Sequence, residues 1–269
     1  MEKLIDSLLE AGDLFREGFH SAKEISHKGT VDLVTEYDVA VENLLKERVS
    51  KLFPDYTIVG EESGDEFCRA PKAVYIDPID GTTNFVHKIP FCAISVGVWE
   101  DGRPIVGAVY NPVLNELFYA ERGMGAYCNK RRIYVSDTSL LQQSLVATGF
   151  PYTKVEMGHD FEWVTETIKN LLPVTQDIRR LGAASIDICY VANGTFDAFY
   201  ECNLKPWDVA AGILVAEEAG GKVTNHLGEE YRLGDPVVVV SNSRNHDALI
   251  DKLAYYRGRK DGETRQERG

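Results

Sequence analysis

Asp77 and Asp80 stand three residues apart at the end of a short apolar run, residues 73–76, with Pro78 between them and Gly81-Thr82-Thr83-Asn84 immediately after. The run reads as a buried strand, and a strand end delivers its side chains to a fixed place. Pro78 lacks an N–H and fixes its own φ, so the chain is expected to leave the sheet there in a rigid turn. Two carboxylates held this close repel each other unless a cation lies between them, and carboxylate oxygens select hard cations such as Mg²⁺. The Gly81-Thr82-Thr83 turn adds backbone N–H groups and hydroxyls suited to a phosphate oxygen. A cation and a phosphate side by side point to metal-assisted phosphoryl chemistry. Asp-Pro and Asp-Gly are also common turn dipeptides, so the case needs further acids.

Two segments supply them. Gly60-Glu61-Glu62-Ser63 follows a short apolar strand at 56–59, and two adjacent strands ending at one sheet edge would bring Glu61 to Asp77. Asp208 follows Trp207 and precedes the Ala-rich stretch at 209–219, where it reads as a helix N-cap with an oxygen left for a metal. Thr35 reads as the cap of another helix, with Asp38 in the capping-box position. Arg179 and Arg180 form a basic pair that could hold a second phosphate or a carboxylate on a substrate.

The elements that position these residues follow from periodicity. Leu4, Ile5, Leu8, Leu9, Phe15 and Phe19 give an amphipathic helix over 3–22, and 23–31 reads as a loop. Val39, Leu44, Leu45, Val49 and Leu52 form the apolar face of a second helix that Pro54 ends. Strands are expected at 93–100, 104–111 and 116–120, with Asp101-Gly102 as a hairpin turn. The second half alternates: strands at 144–148, 177–180, 198–201 and 237–241, helices at 161–171, 183–192, 209–219 and 245–256. The composition shifts near residues 137–140, dividing the chain into an α+β half at 1–138 and an α/β half at 139–257. The charged tail, 258–269, is expected to be disordered.

Composition narrows the function class. The 269 residues carry a net charge of −13, which argues against a general nucleic-acid binder but not against a phosphate substrate handled through cations. The five cysteines are odd in number and form no Cys-x-x-Cys, which fits free thiols in a reducing compartment. The first residues lack the pattern of a signal peptide, and no apolar run is long enough for a membrane span. A cytoplasmic location is expected.

The three segments 60–63, 77–84 and 207–212 resemble the three signatures of the inositol monophosphatase family, within the Mg²⁺-dependent, lithium-sensitive sugar-phosphatase superfamily. The resemblance runs over residues 4–256, and Leu204-Lys205-Pro206-Trp207-Asp208 is similar to the bacterial branch. It implies a mixed α+β fold, a layered α-β-α-β-α sandwich, and a homodimer. It implies that Glu61, Asp77 and the Ile79 carbonyl hold one Mg²⁺, that Asp77, Asp80 and Asp208 hold a second, and that Glu61 helps hold a third through water, with Mn²⁺ as a substitute. It implies that Asp38 and Thr82 position the attacking water, that Gly81 and Thr82 bind phosphate through N–H groups, and that Asp80, Gly182, Ala183, Ala184, Glu201 and Asp208 line the polyol site. Lys28 falls in a Lys-Gly-Thr loop that is mobile and covers the metals in relatives. The implied reaction is hydrolysis of inositol monophosphate by metal-activated water, with no protein nucleophile. Fructose 1,6-bisphosphate, histidinol phosphate and 3′-phosphoadenosine 5′-phosphate are the alternative substrates, and partnership with transcription machinery is the non-enzymatic alternative. Animal members carry Gly-Thr-Ala where this chain has Gly182-Ala183-Ala184, so a hydroxyl is missing there and backbone contacts remain.

Overall fold

The computed structural model of the chain describes residues 1–21, 25–27, 33–63 and 70–256. Helix α1 (Glu2–His20) buries Leu4, Leu8, Ala11, Phe15 and Phe19, the stripe that its 3.6-residue spacing demands. The stretch expected as a loop instead contains strand β1 (Ile25–His27), paired antiparallel with β2 (Leu33–Thr35). Three-residue strands are too short for an alternation signal. Lys28, and the tail from 257 onward, lie outside the described residues. Helix α2 (Glu36–Leu52) starts with the expected capping box: the Tyr37 N–H donates to Thr35 Oγ1 at 3.2 Å, and the Thr35 N–H donates to Asp38 Oδ2 at 2.7 Å.

Strands β3 (Thr57–Gly60) and β4 (Lys72–Asp80) are followed by the short helix α3 (Thr82–Val86), then by β5 (Ala93–Glu100), β6 (Arg103–Asn111), β7 (Glu116–Glu121), β8 (Ala126–Cys128) and β9 (Arg131–Arg132). These seven strands form one sheet in sequence order, parallel only between β3 and β4. The second sheet contains β10 (Leu145–Thr148), β11 (Asp177–Arg179), β12 (Ala198–Cys202), β13 (Lys222–Thr224) and β14 (Val237–Ser241), ordered β11-β10-β12-β14-β13. Between its strands run α4 (His159–Leu171), α5 (Ala184–Ala192) and α6 (Pro206–Glu218), and α7 (His246–Ile250) follows β14. Strands β8, β9 and β13, two or three residues long, escape a sequence reading, and α7 is shorter than the helix expected to reach 256.

Three cores stack these elements into five layers. Val74 and Ile76 on one face of β4 pack with α1 and α2, while Ala73 and Tyr75 on the other face join α5 and α6. The middle core continues to Phe199, Val238 and Val240 of the second sheet, and Tyr200, Val237 and Val239 on its far side pack with α4 and Leu249 of α7. Helices α5 and α6, pressed between two sheets, are apolar nearly all round. Helix α6 touches the first sheet almost backbone to backbone. A Cβ at Gly97 would stand 2.6 Å from the Ala210 carbonyl carbon, and one at Gly107 2.5 Å from the Ala211 oxygen. This close approach brings the first turn of α6, with Asp208, over the sheet end that carries Asp77 and Asp80.

Candidate active site

The parallel pairing of β3 and β4 sets Gly60 beside Ile76, and the Glu61 N–H donates to the Ile76 carbonyl at 3.2 Å. Glu61 and Asp77 therefore leave one sheet edge together, and their carboxyls meet within hydrogen-bonding range. The chain does not leave the sheet at Pro78. Strand β4 continues to Asp80, with Asp77 opposite Ser95 and Asp80 opposite Ala93. Three steps on β4 thus match two on β5, which is a β-bulge with Pro78 inside it, where the missing N–H breaks no ladder bond. The bulge also settles orientation. Residues three apart in a regular strand point to opposite faces, and one extra residue turns Asp80 back to the side of Asp77.

After Asp80, Gly81 takes a left-handed conformation (φ 85°) and starts α3. Thr82 Oγ1 lies 3.0 Å from the Ile79 carbonyl and 3.3 Å from Asp38 Oδ1. Asp38 is fully buried on α2, and its Oδ2 accepts from both the Thr35 N–H and the Thr35 hydroxyl, the latter at 2.6 Å. Asp80 is held from the other side. Its Oδ2 accepts from the Ser185 N–H at 2.7 Å and the Ser185 hydroxyl at 2.5 Å, in the first turn of α5. Asp208 is not the cap of α6 but its third residue, accepting the Lys205 N–H at 2.7 Å in the capping-box position. Pro206 starts this helix before the apolar pattern begins at Val209.

A cleft opens over these groups. Asp80, Thr82, Glu201 and Asp208 line it, as do Gly81, Gly182 and Ala184. Ala183, buried, caps α5 against Gly81, and Asp77 lies behind the cleft at 2% exposure. Of the basic pair, Arg180 lines the cleft, its guanidinium 5.0 Å from the Phe150 ring centre. Arg179 instead pairs with Asp177 at 2.6 Å. Lys154, absent from the sequence reading, lines the same cleft. Ser185 was also missed, although it directly follows Gly182-Ala183-Ala184.

The electrostatics are those of crowded, buried acids. Burial, then Glu61, Asp80 and Asp208, push the Asp77 carboxyl well above the usual range. Burial, then Asp80 and Glu61, do the same to Asp208, against the Lys205 N–H. Burial raises Asp80 to about 6, opposed by the Ser185 bonds and Arg180. Burial raises Glu201 to about 8, eased by Arg180 and aggravated by Asp80. Among the described residues no three His, Cys, Asp or Glu side chains converge as a ready-made metal cage. The donor set nonetheless fits a hard divalent cation: carboxylate oxygens and one carbonyl, delivered from three elements, with negative charge they cannot share without cost.

Comparison with known proteins identifies the family and the fold. The profile of the Inositol monophosphatase family matches residues 2–256. The chain is 40% identical over 266 residues to "Inositol monophosphatase 2" of Solanum lycopersicum, covering 94% of this chain and 98% of that protein. It is 37% identical to the "Fructose-1,6-bisphosphatase/inositol-1-monophosphatase" of Aquifex aeolicus, covering 92% of each. Among solved structures, the extragenic suppressor protein suhB of Bartonella henselae superposes with a TM-score of 0.87 at 34% identity, over 94% of this chain and 97% of that one. An "IMPase/NADP phosphatase complexed with Mg2+ and phosphate" superposes with a TM-score of 0.81 at 26% identity, over 97% and 96%. With a matching fold, a carboxylate-lined cleft and a profile match from end to end of the folded body, the chain belongs to the inositol monophosphatase family of phosphatases.

Proposed function

We propose that the protein is a Mg²⁺-dependent phosphomonoesterase that releases inorganic phosphate from inositol monophosphate. The observation that carries this reading is the crowding of acids from three separate elements around one buried carboxyl: Glu61, Asp80 and Asp208 all raise the affinity of Asp77 for its proton, although they do not form a ready-made cage. Glu61, Asp77 and the Ile79 carbonyl would hold one Mg²⁺, and Asp77, Asp80 and Asp208 a second, with Glu61 contributing to a third. Bound Mg²⁺ supplies charge for the phosphoryl oxygens and lowers the pKa of water. The chain's own groups do the rest. The Thr82 hydroxyl has one proton; donated to Asp38 Oδ1, it leaves an oxygen lone pair to accept a hydrogen from the attacking water. Gly81 and Thr82 at the start of α3 offer N–H groups to the phosphate. Glu201, raised to about 8, keeps its proton at neutral pH and can donate it to a substrate hydroxyl, while Asp80 and Asp208 accept from others.

A second reading rests on Arg180 and Lys154, two cations that line the cleft together with the acids. They suit a substrate with a second anionic group, such as fructose 1,6-bisphosphate. The family resemblance further supports a cytoplasmic homodimer inhibited by Li⁺, and among the described residues no helix is long and apolar enough to cross a membrane. The deciding experiment is phosphate release from inositol 1-phosphate, fructose 1,6-bisphosphate, histidinol phosphate and 3′-phosphoadenosine 5′-phosphate, with and without Mg²⁺. Mg²⁺-dependent turnover led by inositol 1-phosphate is expected. A lead by another substrate removes the inositol assignment, and no Mg²⁺-dependent release from any removes the metal reading.

A further inference from the structure

Helix α2 carries two buried acids on one face, one turn apart: Asp38 at 0% exposure and Glu42 at 3%. Asp38 already has its place beside Thr82. Glu42 faces the other metal-side turn. Its Oε2 accepts the backbone N–H of Glu62 at 2.7 Å, and its Oε1 lies 3.2 Å from Lys46 Nζ. The carboxylate also occupies the space where a side chain at Gly60 would be: a Cβ there would stand 2.5 Å from Oε2 and 2.7 Å from Oε1. Gly60 has no positive φ, so its lack of a side chain serves this contact and not a turn conformation. Glu42 therefore holds the backbone on both sides of Glu61, touching Gly60 before it and Glu62 after it. A carboxylate taken out of water at this cost is expected to be fixed by what it bonds, and what it bonds here is the turn that aims Glu61 at Asp77.

We propose that Glu42 is a positioning residue of the metal site, clamping the Gly60–Glu62 turn so that Glu61 is presented beside Asp77. The proposal rests on the reading of Glu61 as a metal ligand. On this view α2 is a common strut for both ligand-bearing turns. Asp38 braces the turn after β4, and Glu42 braces the turn after β3.

The test is Mg²⁺ binding to the full chain by titration calorimetry, together with the Mg²⁺ concentration for half-maximal phosphate release. The variants are Glu42→Ala, Glu42→Gln, Gly60→Ala, the double Glu42→Ala/Gly60→Ala, and Glu61→Gln. Losing a residue that orients a ligand typically weakens a metal about 10- to 100-fold, so Glu42→Ala and Glu61→Gln should each weaken Mg²⁺ by about tenfold or more. For Glu42→Ala, kcat at saturating Mg²⁺ should stay within about threefold of the native value, since the clamp acts through metal occupancy. Glu42→Gln keeps an oxygen that accepts the Glu62 N–H, and its affinity should stay within about threefold. That rescue separates placement from simple loss of negative charge. Gly60→Ala should weaken Mg²⁺ on its own yet add little to Glu42→Ala, because both disturb one contact. Native Mg²⁺ affinity in Glu42→Ala, beside a weakened Glu61→Gln, overturns the clamp. Additivity in the double variant also overturns it. Native affinity in Glu61→Gln removes the metal reading and the clamp with it. If Glu42→Ala does not fold, Gly60→Ala and Glu42→Gln carry the test, and native affinity in Gly60→Ala then refutes it.

Discussion

Asp77→Asn should move stability and activity in opposite directions. The native carboxyl is 2% exposed, and burial together with Glu61, Asp80 and Asp208 raises its pKa well above that of the unfolded chain. A raised carboxyl contributes its full stability only below the unfolded pKa, and that stability is lost as pH rises through the folded one, so at neutral pH its charge works against the fold. Asparagine removes this charge and keeps an oxygen for the Ile79 N–H, which Asp77 Oδ1 now accepts at 3.1 Å. In chelator, the variant should therefore be more stable by about 1–2 kcal/mol, which at about 2–4 °C per kcal/mol is a readily measured rise in Tm. Mg²⁺ should reverse the order. At one hundred times its Kd a ligand stabilises by about 2.7 kcal/mol, and the variant, having lost the proposed bridging ligand, should gain far less. Turnover should fall about 10³-fold or more, roughly 4 kcal/mol of transition-state stabilisation. Thermal melts in chelator and in Mg²⁺, paired with phosphate release, read all three. A variant less stable than the native protein in chelator, or one that turns over near normally, refutes the argument that these acids are held against their own repulsion for a cation.

Three further expectations follow from particular contacts. Thr82→Ala should lower kcat about 100-fold with little change in KM, and Thr82→Ser, which keeps the hydroxyl near Asp38, should recover most of it in steady-state assays. Arg180→Ala and Lys154→Ala should raise KM for fructose 1,6-bisphosphate about five- to tenfold while leaving inositol 1-phosphate within about twofold, and equal effects on both substrates refute the second-anion reading. His246 is 1% exposed between Thr224 Oγ1 and Ser241 Oγ, each at 2.8 Å, and burial, then Lys222, lower its pKa to about 4. A depressed histidine contributes stability above the unfolded pKa near 6.5, and that contribution is lost as pH falls toward 4. The raised carboxyls of the cleft act in the opposite sense, so the useful quantity is the stability difference between native and His246→Asn. Measured by urea unfolding, that difference should shrink by about 2 kcal/mol between pH 7.5 and 5, and a constant difference refutes it.

The sequence carried the scaffold of the site better than its details. Strand-length apolar runs before Glu61 and Asp77 foretold the shared sheet edge, and Thr35 with Asp38 foretold the capping box. What alternation could not show is that Asp77 and Asp80 share a side, because a spacing of three points them apart unless the strand bulges. Arg179 and Arg180 are neighbours with identical chemistry, and only the local pairing of Asp177 tells them apart. Lys154 sits in a short 3₁₀ segment with no period to read. Glu42 did leave a signal. It interrupts the face of α2 that buries Val41, Leu45 and Val49, one turn after Asp38, and a polar residue at such a position needs a partner.

These acids share one arrangement, and it bears on why the site keeps its charge. Asp38 is held by the Thr35 amide and hydroxyl, Asp77 by the Ile79 amide, Asp80 by the Ser185 amide and hydroxyl, and Asp208 by the Lys205 amide, not by its ammonium. Neutral dipoles fix a carboxylate without cancelling it. A lysine in the same place would hold the group as firmly, but a cation would then have to displace it. At an effective dielectric constant of 20, two charges about 4 Å apart repel by roughly 4 kcal/mol, so carboxylates left to themselves would turn away. Amide and hydroxyl bonds from the end of β2, from β4, from α5 and from the cap residue of α6 oppose that movement element by element. The layered fold is thereby what makes the proposed chemistry available: it sets carboxylates that repel one another at one sheet edge and leaves their charge uncancelled, as the proposed metal site requires.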